Sequence, residues 1–417
     1  MNKTKHTHIP ELRFPEFKND GAWEEKTLNN LAKYRRGSFP QPYGSPEWYD
    51  EVNGFPFVQV YDVDENLRLK AQTKNKISKV AAEQSVFIPK ETIIITLQGS
   101  IGRVAITQYD AYVDRTLLLF EEFNKPIDKV FFAYTLQLLF NIEKQKAPGG
   151  IIKTITKEVL SDFIVNLPSL KEQQKIAACL SSLDELIEGH SQKLELLEEH
   201  KKGLLQNLFP QKGKKQPAYR FPKFKNDGDW EEKKVGEICN VFRGQSFSKS
   251  DITPEGSELC IHYGELFTLY NEVIYSIISK TNKVNGIRGE VGDILMPSSD
   301  VTPSGLAKAS ALEVENVILG GDINILRPKI LINSIFLSYL INFSKQEILK
   351  YVSGTTVKHI YSSEIVKCKL ILTSNPKEQQ KIAACLSSLD ELIKEQKQKI
   401  EQLKQHKRGL MQKLFVK

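Results

Sequence analysis

The chain is one unit written twice. Arg13–Lys26 reads RFPEFKNDGAWEEK and returns 207 positions later as Arg220–Lys233, RFPKFKNDGDWEEK, with two of 14 positions changed. The block KEQQKIAACLSSLDELI at 171–187 returns unaltered at 377–393. A fainter echo links Gly149-Gly150-Ile151-Ile152-Lys153-Thr154-Ile155 to Gly354-Thr355-Thr356-Val357-Lys358-His359-Ile360. Between these ends the copies diverge: residues 38–148 and 245–353 share little beyond a leading Gly and an aromatic (Gly37, Phe39; Gly244, Phe247). A duplication of this kind fixes the architecture before any single element does. Uniform drift would not spare a 17-residue block and erase its neighbour. The ends therefore answer to a common requirement and the interiors to different ones.

The second repeat block opens a long periodic stretch. Alternating steps of four and three from residue 176 meet Ile176, Leu180, Leu183, Ile187, His190, Leu194, Leu197, Lys201, Leu204 and Leu208. The second copy gives Ile382, Leu386, Leu389, Ile393, Gln396, Ile400, Leu403, Lys407, Leu410 and Leu414. A 3.5-residue spacing is the seam of a coiled coil, and the polar entries fall at matching places in both copies. The polar pairs His190/Gln396 and Lys201/Lys407 are expected to fix register at some cost in stability. An amphipathic helix packed on its own domain is the competing reading. A helix over 172–208 is about 55 Å long. The second must return along the first, so the expectation is an antiparallel pair with a pseudo-twofold axis.

With 417 residues the length prior is two to three domains. The composition is 40% hydrophobic and 26% charged, which excludes wholesale disorder. No apolar run approaches a membrane span, and the first residues lack a signal-peptide core, so a cytoplasmic protein is expected. Five cysteines without a CxxC pair fit a reducing compartment and argue against zinc. The formal net charge of +7 permits nucleic acid as a partner, but it is uneven. Residues 1–210 hold 27 Lys+Arg against 28 Asp+Glu, and the remainder 31 against 23.

The interiors carry strand-like runs near 55–60, 93–97, 104–107, 116–120, 293–296 and 324–327, with helical stretches near 127–145 and 332–350. Each copy thus reads as an α+β domain. The expected divisions are a recognition domain at 11–167, a long helix at 168–210, a basic linker at 211–219, a second recognition domain at 220–374 and a second helix at 375–417. No GxxxxGK[ST], HExxH, GxSxG or [DN]PP[YF] sequence is present, and the seven histidines show no metal spacing. A non-catalytic chain without a metal is expected.

Cations stand beside aromatics ahead of each interior, at Tyr34, Arg35 and Arg36 and at Arg243 and Gln245. The Gly-rich turn Gln98-Gly99-Ser100-Ile101-Gly102-Arg103 offers backbone N–H groups and Arg103 to a phosphate, with Ser100 at its tip and Gln98 free to read a base edge. Its counterpart contains Ser298, Ser299 and Thr302. Lys153 and the pair Lys358-His359 lie in polar, Gly-flanked loops.

Taken together, the layout resembles the DNA-specificity subunit of type I restriction–modification systems. The resemblance rests on the duplicated unit, the RFPEF…WEEK openings, the run Ile94–Ala105 and the Glu-Gln-Gln-Lys-Ile openings at 172–176 and 378–382. It implies two α+β target-recognition domains separated by two long antiparallel coiled-coil helices. Each domain would read one half of an asymmetric, bipartite double-stranded DNA target. The helices would space the half-sites by about one and a half turns of DNA and bind two modification subunits that methylate adenine. S-adenosylmethionine, ATP and Mg would belong to those partners and to the restriction (motor-nuclease) subunits, with no cofactor on this chain. The alternatives are a two-armed protein scaffold that binds no nucleic acid and a stand-alone modification enzyme, which the missing motif disfavours.

Overall fold

The computed structural model describes residues 8–146, 157–245 and 247–416. The chain divides into two units, Met1–Ser191 with Gln398–Lys417, and Gln192–Lys397. Each boundary falls inside a long helix, so each unit owns a recognition domain and a part of both helices.

In the first unit ten strands are formed: β1 (Glu24–Thr27), β2 (Ala32–Arg36), β3 (Phe55–Val58), β4 (Asn75–Ile77), β5 (Val86–Ile88), β6 (Ile93–Thr96), β7 (Val104–Ile106), β8 (Ala111–Val113), β9 (Leu117–Phe123) and β10 (Ile164–Leu167). They build two four-stranded sheets, ordered β2-β9-β6-β7 and β4-β3-β8-β5, and a β1-β10 pair. Pairing is antiparallel except between β3 and β8, which run parallel. Ile94, Ala105 and Leu119 meet Val58, Ile88 and Val113 in one apolar layer. The opposite side of β6 and β9 packs on the domain helix Lys129–Lys146 through Phe131, Phe132 and Phe140. The expected strands and helix are present. Strands β1, β2, β4, β5, β8 and β10 fall outside the expected runs, because three to five residues carry too little periodicity to be read alone.

The second unit repeats this plan with more and shorter strands: β11 (Glu231–Lys234), β12 (Cys239–Arg243), β13 (Glu258–Ile261), β14 (Val273–Ile274), β15 (Lys280–Thr281), β16 (Arg288–Gly289), β17 (Ile294–Pro297), β18 (Ser299–Asp300), β19 (Ser310–Leu312), β20 (Val317–Leu319), β21 (Ile323–Pro328), β22 (Lys358–His359) and β23 (Lys369–Leu372). Its sheets are β12-β21-β17-β19-β14 and β15-β13-β20-β16, with pairs β11-β23 and β18-β22. The domain helix is Ser334–Phe343.

The long helices span Leu170–Leu208 and Pro376–Leu414, 39 residues each or about 58 Å. Pro376 occupies the first helical position, where its missing N–H costs nothing, and Asn375 Oδ1 accepts the Lys377 N–H at 3.0 Å. Within each unit the two helices run antiparallel. In the first, Ile176, Ala177 and Leu180 share a core with Leu414 and Phe415. In the second, Ile382, Ala383 and Leu386 share one with Leu208 and Phe209. The opening seam residues therefore pack on the domain as well as along the helix pair, so both readings of the periodicity hold, over different turns. Further along, Ile187, Leu389, Ile393 and Ile400 are buried, while Leu183, Leu194, Leu197 and Leu403 are half-buried.

The two seam lysines are neutralised in matching fashion. Lys407 Nζ lies 2.5 and 2.7 Å from the Asp184 carboxylate, to which the Tyr134 hydroxyl also donates. In the second unit Lys201 Nζ lies 2.6 Å from Asp390 and 3.0 Å from Glu272, and the Tyr339 hydroxyl donates to Asp390. Burial pushes both phenols far above their ordinary pKa, so they remain donors.

The repeat ends meet in space. Arg13 grips Glu172 with Nε and Nη2, both at 2.7 Å, and caps the Asp20 and Gly21 carbonyls with Nη1. Arg220 does the same to Glu378, at 2.7 and 2.8 Å. Gln173 and Gln379 each accept an N–H at the start of the domain helix segment, from Asp128 and Asn333 at 2.9 Å. Each then donates back to the strand end, at Pro168 and Thr373. The first Glu and Gln of each EQQKI block are thus internal struts. Replacing Arg13 by Met leaves Glu172, whose side chain is 1% exposed, as an unpaired buried carboxylate. A loss of about 3–5 kcal/mol is expected in urea unfolding of the chain. A shift under 1 kcal/mol would contradict the strut role.

Candidate nucleic-acid interface

The parallel pair β3–β8 ends at Val58 and Val113, and the chain then turns sharply. Asp62 closes that turn. Its Oδ2 accepts the Gln59 N–H and its Oδ1 the Lys74 N–H, both at 2.9 Å. Burial raises the Asp62 pKa, while these two bonds pull it down. The segment between, 62–74, is thereby pinned at both ends. Asn75 Nδ2 donates to Gln59 Oε1 at 2.8 Å and to the Tyr61 hydroxyl at 2.9 Å, and Tyr61 in turn donates to Gln59 Oε1. Burial pushes the Tyr61 hydroxyl up to about 12, and Lys74 Nζ stands 4.9 Å from the ring centroid.

The Gly-rich turn faces the same hollow. It joins β6 to β7, with Gly99 and Gly102 at φ +64° and +81°. A Cβ on Gly102 would fall 2.6 Å from the Phe140 ring, so the tight turn needs glycine there. Gly99, Ser100 and Arg103 line a cavity of ≈ 470 Å³ together with Tyr61, Asp64, Glu65 and Lys70. Gln98 and Ser100 are exposed. Arg103 is committed, donating to Glu65 at 2.9 Å and to the Val63 carbonyl at 3.4 Å.

On β2 the three expected residues part company. The Tyr34 ring lies against Phe120 and its hydroxyl shares a 2.9 Å hydrogen bond with Ser161, so it is turned toward the domain. Arg35 lies 3.6 Å from Glu121. Arg36 is exposed and its guanidinium has no partner among the described residues. Lys153 lies outside the described residues.

In the second unit the expected residues converge on an acid that sequence reading overlooked. Arg243 donates to Asp322 Oδ1 and to the Gly321 carbonyl, each at 2.8 Å, and Ser298 Oγ donates to the same carboxylate at 3.3 Å. Ser298 and Ser299 are buried (5% and 8% exposed), against the expectation of open hydroxyls, because β18 pairs with β22 and sets Ser299 opposite His359. Thr302 is exposed, and its hydroxyl donates to Asp300 at 2.7 Å. Lys358 Nζ donates to the Gly354 carbonyl at 2.7 Å, and the His359 ring stacks 6.0 Å from Tyr361. Gln245 is exposed and its N–H donates to the Leu319 carbonyl at 3.0 Å. Arg243 also borders a cavity of ≈ 340 Å³ with Phe247, His262, Tyr263 and Asp322.

The two units correspond position by position here. Val58 pairs with Val113 as Ile261 pairs with Leu319. Gly37 and Gly244 sit where a Cβ would come within 2.2 and 2.1 Å of a carbonyl oxygen of the same neighbouring turn. Gln59 therefore corresponds to His262, and Asp62 to Glu265, whose carboxylate accepts the His262 N–H at 2.7 Å. Sequence reading missed Gln59, Tyr61, Asn75, His262 and Asp322. The available signal was Arg68, Lys70, Lys74, Lys76 and Lys79, five cations with no carboxylate between residues 66 and 79.

Residues 21–199 and 227–405 each match the type I restriction modification DNA specificity domain, and the chain belongs to that family. It is the DNA-specificity subunit of a type I restriction–modification system, the component that recognises DNA and does not itself catalyse. Among similar proteins, the MjaVIII specificity subunit of Methanocaldococcus jannaschii is 24% identical, over 97% of this chain and 93% of its own. The putative MjaX specificity subunit of the same organism is 26% identical over 100% and 96%. The crystal structure of a type I S subunit from M. genitalium has the same fold, with a TM-score of 0.64, 17% identity, and coverage of 98% and 99%. A structure described for complex assembly and conformational transition of the type I system gives a TM-score of 0.56 at 17% identity, over 94% and 97%. Among the described residues, no helix is long and apolar enough to cross a membrane, and no group of three His, Cys, Asp or Glu is placed to hold a metal.

Arg36, exposed and without a side-chain partner among the described residues, is expected to meet a phosphate. Arg36→Ala should weaken DNA binding of the assembled complex alike on target and non-target sequences. The slope of log affinity against log salt should fall by about one. An unchanged slope by fluorescence anisotropy would remove Arg36 from the interface.

Proposed function

We propose that each unit reads one half of an asymmetric bipartite target in double-stranded DNA, and that the repeat ends dock two copies of one modification subunit. The observation that carries this reading is a contrast. Part of each EQQKI block is buried in its own unit and explained by the fold. Another part is exposed and still identical: Lys171, Gln174, Lys175, Ala178, Ser182, Glu185 and Leu186 match Lys377, Gln380, Lys381, Ala384, Ser388, Glu391 and Leu392. Leu186 and Leu392 are each 51% exposed, large apolar side chains left on otherwise polar faces. The opening motif adds to the same surface, since Lys175 and Lys381 stand 5.6 Å over the Phe14 and Phe221 rings. The fold does not require identity at such positions; a common partner does.

The modification subunits supply S-adenosylmethionine and methylate adenine. Restriction subunits with ATP and Mg complete the assembly, and the system works in the cytoplasm. A 39-residue helix, about 58 Å long, sets the scale of half-site spacing at about one and a half turns of DNA. The unlike interiors account for an asymmetric target.

Exchanging residues 38–148 for another variable interior should change one half of the methylated sequence and leave the other intact. Genome-wide methylation mapping reads this directly. Alteration of both halves would refute one domain per half-site. Leu186→Asp and Leu392→Asp should each cost the complex one modification subunit, and together both. Unchanged stoichiometry of the double variant in native mass spectrometry would refute the docking surface.

A further inference from the structure

The side chains that follow β3 and β13 are held so that only a hydrogen-bond donor remains free. Gln59 Oε1 already accepts from both Asn75 and Tyr61, which fills its two lone-pair sites. Its Nε2, with two N–H groups, has no partner among the described residues and is the end left to act. His262 reaches the same condition by other means. Its Nδ1 accepts the Gly264 N–H at 3.2 Å, which places the ring proton on Nε2 and makes that atom a donor. The supporting turn is the same in both units, with Asp62 or Glu265 clamping the backbone N–H of the residue concerned. Both side chains are half-buried, and both adjoin cations: Lys74 over Tyr61 in one unit, Arg243 across the cavity in the other. Scaffold and polarity are shared, and only the side chain differs.

In the major groove, adenine is read by an amide that donates to N7 and accepts from N6. Guanine shows two acceptors, N7 and O6, and cytosine a single donor. A glutamine whose oxygen is saturated cannot accept from adenine N6, and a histidine locked as a donor cannot accept from cytosine N4. Adenine sets a donor beside its N7 acceptor and thymine a methyl group beside its O4 acceptor, whereas guanine offers two acceptors and no donor, so a donor-only side chain is best matched to guanine. We infer that Gln59 and His262 are base-reading residues of the first and second units, each selecting a guanine in its own half of the target. This rests on the reading that each unit recognises one half-site.

The test uses the chain assembled with its modification subunits, and methylation mapped across genomic DNA. Gln59→Glu keeps the accepting oxygen and turns the free end from donor to acceptor. His262→Phe keeps a ring and removes the donor. The wild-type motif should contain a guanine in each half. Each variant should lower discrimination at one guanine about ten-fold or more and leave the opposite half unchanged. The substitutions lie in separate units, so failure of one to assemble leaves the other decisive. A wild-type half-site without guanine, or variants that retain wild-type preference at every position, would overturn the assignment. A wild-type complex that methylates with no sequence preference would overturn the half-site reading beneath it.

Discussion

Everything in each unit hangs on an arginine and a glutamate about 160 positions apart. Arg13 with Glu172, and Arg220 with Glu378, are bidentate pairs with side chains between 1% and 7% exposed. Burying two charges is costly unless geometry is good and the remaining donors are satisfied. Here the leftover guanidinium nitrogen caps two carbonyls, which meets that condition. The pair binds the opening motif to the start of the long helix, and the neighbouring Gln ties that helix to the domain helix. The two repeated blocks, distant in sequence, are thus one structural object. This explains why they persist together while the segment between them changes freely.

Charge has a structural reading before a functional one. The first long helix carries five Lys against seven Asp and Glu, and the second nine Lys and Arg against five. Within the units these helices pair as Asp184 with Lys407, Lys201 with Asp390, and Glu198 with Lys397. Part of the basic excess of the second half therefore complements the acidic first helix. The matched Asp–Lys pairs also set register, since a slip of one turn would strand each lysine in an apolar seam. The tyrosine added to each pair fixes the domain helix to the same point. The recognition surface is then held at a defined rotation about the long helix within its unit.

The recognition surface follows a similar economy. A capped turn, a glycine pressed against a carbonyl and a parallel strand pair recur in both units, although almost no residues match. What differs is the side chain mounted on the turn, Gln59 or His262, and the loops around it. A rigid backbone with exchangeable polar tips can change the base read without disturbing the fold, because the supporting hydrogen bonds run through backbone N–H groups and a buried acid.

The sequence by itself determined the duplication, the two long helices, their antiparallel return and the α+β character of each interior. These are legible because repetition and a 3.5-residue spacing are properties of order along the chain. Gln98, Ser100 and Arg36 stand out in the sequence because they sit beside recognisable turns and charge clusters, and the structure leaves all three exposed. The sequence could not show that Tyr34 faces inward, that Ser298 and Ser299 are buried, or that Arg243 meets Asp322, because each depends on a partner tens of residues away. Nor could it reveal Gln59 or His262, whose chemistry comes from what already occupies their other hydrogen-bonding atom. Only the tertiary structure decides which polar groups are spent inside the molecule and which remain to act, since hydrogen bonds and burial are settled between segments that the sequence leaves far apart.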